Sequence, residues 1–148
     1  MKKLLLLPLV LAVSSVLAHD EGHGPKLTDM AKQGGVLAPV VEAKDHELGA
    51  KANVVYKAEL VRSEDGTVRV YLYDKDMKAL DLKGFDKKAS GVVEVVKKGK
   101  VSKTPFSLEL KGGAFAGKPP KPSRKPFNID VTLVEGKRKL LSAFDNLD

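Results

Sequence analysis

The chain has 148 residues, 43% hydrophobic and 30% charged, with 26 Lys or Arg against 19 Asp or Glu for a formal net charge of +7. It contains no cysteine, which removes disulfide staples and thiolate chemistry and leaves stability to an ordinary hydrophobic core. The basic balance is moderate, and no aromatic-interleaved basic motif appears, so nucleic acid is not an expected partner.

At the start, Lys2 and Lys3 precede an apolar run over residues 4–13, and Val16-Leu17-Ala18 offers a small-residue cleavage site. That order is the secretory signal pattern, and the run is too short to span a bilayer. Residues 1–18 are therefore the expected signal peptide, and periplasm or secretion the expected destination. The expected mature chain runs from His19 to Asp148 without a transmembrane segment, and carries 24 basic and 19 acidic side chains for a charge of +5.

Residues 19–35 are rich in Gly, Asp, Glu and Lys and read as a flexible, His-containing segment. Strand signals begin at residues 36–41, where Pro39 argues for an edge strand. From Asn53 the alternation is clear, with Tyr56, Ala58 and Leu60 on one face and Lys57 and Glu59 on the other. Ser63-Glu64-Asp65-Gly66 makes a hairpin turn into a strand over residues 67–73. A polar loop, Asp74-Lys75-Asp76-Met77-Lys78, follows. Residues 91–96 and 101–110 form the next strands around Lys97-Lys98-Gly99-Lys100. Gly112-Gly113 turns the chain into a short piece at Ala114-Phe115-Ala116. The proline-rich stretch over residues 118–126 cannot be a helix or a central strand. Phe127, Ile129, Val131 and Leu133 then alternate, Glu135-Gly136 turns, and residues 139–144 close the domain.

The regular spacing of about seven or eight strands, without sustained helical periodicity, predicts an all-β immunoglobulin-like antiparallel sandwich over residues 36–148. Three stretches carry a resemblance: Gly34-Gly35-Val36; Tyr56-Lys57-Ala58-Glu59-Leu60-Val61; and Gly66-Thr67-Val68-Arg69-Val70-Tyr71-Leu72-Tyr73-Asp74 with Lys78-Ala79-Leu80-Asp81 after it. Together they resemble small periplasmic immunoglobulin-like domains that occur alone or attached to heavy-metal efflux components. The resemblance spans residues 34–144 and implies a metal-efflux component or another envelope protein as partner. Such chains often carry His before the paired glycines, where this one has Gln33.

Two histidines lie in His19-Asp20-Glu21-Gly22-His23-Gly24. A free α-amine and the imidazole of a terminal His19 form a chelate suited to copper or zinc, and His23 or His46 can add a nitrogen. His19, His23 and His46 are thus the candidate metal ligands, with copper or zinc as the candidate cofactor. Asp74-Lys75-Asp76 followed by Asp81 does not have the spacing of a calcium loop, whose third acid and glycine are missing here. No nucleophile elbow or phosphate loop is present, so no catalytic residue is expected and the chain reads as a non-enzyme. Two functions remain: a periplasmic accessory in metal handling or efflux, or an envelope interaction module that binds a protein or anionic polymer through basic strand edges.

Overall fold

The computed structural model describes residues 24–148; the expected signal peptide, His19 and His23 lie outside the described residues. The strands are β1 (Val36–Glu42), β2 (Tyr56–Arg62), β3 (Val68–Tyr73), β4 (Lys88–Lys97), β5 (Lys100–Lys111), β6 (Ala114–Gly117), β7 (Phe127–Glu135) and β8 (Arg138–Leu147). Two 3-10 segments, Ala43–Lys51 and Leu82–Gly84, interrupt them. Among the described residues no helix is long and apolar enough to cross a membrane.

The fold is all-β and antiparallel, as expected, but the strands close into one barrel in the order β1-β2-β3-β6-β5-β4-β7-β8, where the alternation predicts two sheets of a sandwich. Two short elements close the ring. Along β1, Val36 to Val40 pair with β2, and Val40 to Glu42 pair with β8, so the strand changes partner at Val40. The short β6 bridges β3 through Val68↔Gly117 and β5 through Lys111↔Ala114. Pro39 lies in the half of β1 that has only β2 beside it, so its missing N–H removes no ladder bond on the β8 side.

Inward positions are apolar and fill the lumen. Phe115, Phe144, Leu60, Leu108, Ile129 and Leu140 are fully buried, each stabilising the fold by about 1.5–3 kcal/mol relative to exposure. Gly91 pairs with Phe106, and the Phe106 ring occupies the space a Cβ would need there. The Asp-Gly turn forms as expected, with Gly66 at φ +84° and the Thr67 amide and hydroxyl both donating to Asp65.

Antiparallel registry sorts the connections between two ends. One end gathers the β2–β3 turn, the β4–β5 turn, the proline-rich connection of residues 118–126 and the end of β8. The other carries the first 3-10 segment and the β5–β6 and β7–β8 turns.

Candidate functional site

The alternation of β2 places Glu59 outward, yet its side chain is fully buried. The cause lies 24 to 27 positions earlier in the chain. The main-chain amides of Lys32, Gln33 and Gly35 donate to its two oxygens at 2.9, 2.7 and 2.8 Å, and the Tyr73 hydroxyl donates at 3.0 Å. Burial alone would raise the Glu59 pKa, but these four donors outweigh it and hold the carboxyl below its usual value. Burial and the bond to Glu59 push the Tyr73 phenol up to about 12, so it remains a donor at neutral pH. Residues 24–35 thus form a strap over β2, fastened further by Asp29, whose carboxylate lies 2.7 Å from Lys57 Nζ. Gly35 sits so close to β2 that a Cβ would collide with the Leu60 carbonyl oxygen. Glu59 and Gly35 therefore hold the fold together here, Gly34 beside them takes a φ of +73°, and Gln33 contributes its main-chain amide to this clamp.

The second surface is β5. It pairs with β4 along its length, from Lys97↔Lys100 to Lys88↔Glu109, but with β6 only from Glu109↔Ala116 to Lys111↔Ala114. Gly117 abuts the Ser107 carbonyl, so residues 100–106 form an open edge among the described residues. Lys100, Val101, Ser102, Lys103, Thr104 and Pro105 are all exposed. Val96 and Val101, paired across the hairpin, are 50% and 53% exposed. Residues 95–108 carry Lys97, Lys98, Lys100 and Lys103 and no acid; Lys103 Nζ lies 3.1 Å from the Glu94 carboxylate. Pro105 on this edge was the available signal for an open strand, but the alternation of β5 alone does not distinguish edge from centre.

A cleft of about 670 Å³ opens at the same end, between the β2–β3 turn and residues 118–122. Pro119, Pro120 and Pro122 line one side and Phe127 the floor. The Arg62 guanidinium stands 5.6 Å from the Phe127 ring centroid, a cation–π geometry that fixes the side chain at the rim. Asp65 is held below its usual pKa by the Thr67 amide and hydroxyl, with Lys118 adding to the effect.

Of the candidate metal ligands, only His46 is described. It is half-buried in the 3-10 segment at the opposite end of the barrel. No group of three or more His, Asp or Glu side chains that could hold a metal occurs among the described residues. Gly24, next in sequence to His23, packs against Pro39 and lines one groove with Ala50 of the His46 segment. The polar loop of residues 74–78 is a turn built on Asp74, which accepts the amides of Asp76 and Lys78. Comparison with protein-family models, with curated proteins and with solved structures finds no match to this chain.

Proposed function

We propose that the protein is a non-enzymatic interaction module of the cell envelope that accepts an extended, acidic segment of another protein along residues 100–106. The observation that carries this reading is the edge itself, a strand paired on one side, exposed on both faces from Lys100 to Pro105 and free of acids. An added strand would form ladder hydrogen bonds worth about 0.5–1.5 kcal/mol each, and the lysines would steer an acidic partner and repel a second copy of this basic edge. Pro105 withholds one donor and so favours one register of pairing.

An alternating Glu-Val peptide provides the test. It should bind with an affinity that falls as salt rises, and should weaken when Lys100 and Lys103 are both changed to Glu. A backbone N-methylated peptide keeps every charge but cannot extend the ladder, so it should not bind. Equal binding of the methylated peptide, or of dextran sulfate, would replace strand addition by simple attraction to an anionic polymer.

A second reading, a periplasmic accessory in metal handling or efflux, is supported by the place where the tail meets the barrel. Gly24, the first described residue, shares a groove with Ala50, four positions after His46, and a chain beginning at His19 would carry the amine-and-imidazole chelate suited to copper or zinc. Calorimetric titration with Cu(II) and Zn(II) tests it. A chain beginning at His19 should bind, and one with a single extra residue before His19 should bind far more weakly, because its α-amine is no longer part of the chelate.

A further inference from the structure

The cleft between the β2–β3 turn and the proline-rich connection has a composition that the open edge of β5 does not explain. Its floor is Phe127, backed by the fully buried Val68 and Ile129, and its outer wall is three prolines. A body seated there would extend the barrel's own core, because the lumen behind is already filled by side chains. Proline-rich backbone is also stiff, so the wall needs little ordering when a ligand arrives.

The rim is polar and biased towards positive charge. Arg62, Lys118 and Lys121 line it against Glu64 and Asp65. Asp65 is engaged by Thr67 and neighboured by Lys118, so Arg62 and Lys121 face an incoming group with only Glu64 to offset them. Arg124 and Lys125 add two further cations on the same connection, and residues 110–129 contain no acid. Apolar floor, stiff apolar wall and cationic rim together describe a site for a molecule with an apolar body and an anionic head. Its volume falls within the range of about 300–1,000 Å³ common to small-molecule sites.

We propose that this cleft binds a single-chain amphiphile, its acyl or alkyl body against Phe127 and the prolines and its carboxylate or phosphate between Arg62 and Lys121. The shared chemistry is an anion on an apolar chain, whether a fatty acid or a phosphorylated lipid.

The test follows amide chemical shifts of the full chain during titration with four probes: laurate, dodecyl phosphate, inorganic phosphate and dodecyl maltoside. Laurate and dodecyl phosphate should shift residues 62–68 and 118–129, and their relative affinities would tell a carboxylate ligand from a phosphate one. Inorganic phosphate and the neutral maltoside should bind at least about tenfold more weakly, since each supplies only one half of the recognition. The double variant Arg62→Glu, Lys121→Glu should lose about tenfold or more in laurate affinity, and its amide spectrum should stay dispersed because both side chains are at the surface. Lys100→Glu should leave laurate binding unchanged while weakening the acidic peptide, so either site can fail alone. Maltoside binding as tight as laurate would overturn the anionic head. Shifts confined to Val96 and Val101, or unchanged affinity in the double variant, would overturn the cleft.

Discussion

Along β2 the main-chain amides of residues 32, 33 and 35 end on one buried carboxylate, whereas along β5 residues 100–106 keep an open edge beside four lysines. Both places border strands that the barrel leaves partly uncovered. On the β2 side the chain covers the strand's outer face with its own strap and neutralises the burial of Glu59 by supplying four donors. On the β5 side nothing among the described residues covers the edge, and charge and Pro105 blunt it instead. A covered charge is costly to disturb, while an open edge can be altered at little cost in stability, and this contrast separates scaffold from binding surface.

Several substitutions would break or sharpen that contrast. Glu59→Gln should have the largest effect, about 3 kcal/mol in urea unfolding, because an amide cannot accept all four donors and places its own N–H against theirs. It should also open residues 24–35 to limited proteolysis. Gly35→Ala should cost about 2 kcal/mol, since the strap must lift from the Leu60 carbonyl. Tyr73→Phe removes one donor of the four and should cost about 1 kcal/mol in the same assay. Changing both Val96 and Val101 to Thr should move stability by less than about 0.5 kcal/mol, because both side chains are already half in water. A large loss in that last variant would mean the hairpin supports the fold, and the contrast would collapse.

Acid should act on the strap in particular. Glu59 has its folded pKa depressed below the usual 4.5, so its contribution is complete above that value and disappears as pH falls through the folded one. Melting temperatures of the natural chain and of Glu59→Gln should therefore differ most near neutral pH and converge in acid. A gap that persists at low pH would show that the clamp acts by shape alone.

Much of the local structure was legible in the chain. Alternation located the main strands, Asp65-Gly66 marked a hairpin, and the alternating Phe127, Ile129, Val131 and Leu133 are all buried in the core. Closure into a barrel was not legible, because it depends on β1 changing partner at Val40 and on the short β6, and neither leaves a periodic trace. The burial of Glu59 was not legible, because alternation separates it from Ala58 and Leu60 and reports which side a residue points to, not what lies over that side. The covering strap has no periodicity of its own. The open edge was partly readable from Pro105 and the lysines, but only pairing shows that β6 stops at Glu109↔Ala116. The cleft joins residues 62–68 to residues 118–129, which no local pattern connects.

The change of partner along β1 also bears on how the chain reaches its native state. Val40 closes the ring against Ser142 of the final strand while the residues before it, Val36 to Pro39, pair with β2 alone. The last seam therefore joins segments from opposite ends of the chain, a contact with a large loop-closure entropy. Folding should be slow for a domain of this size, as in other β proteins of high contact order. Until β8 arrives, β1 and β7 each present an unpaired edge, so a chain shortened before β8 should aggregate, where one lacking the β4–β5 tip should not.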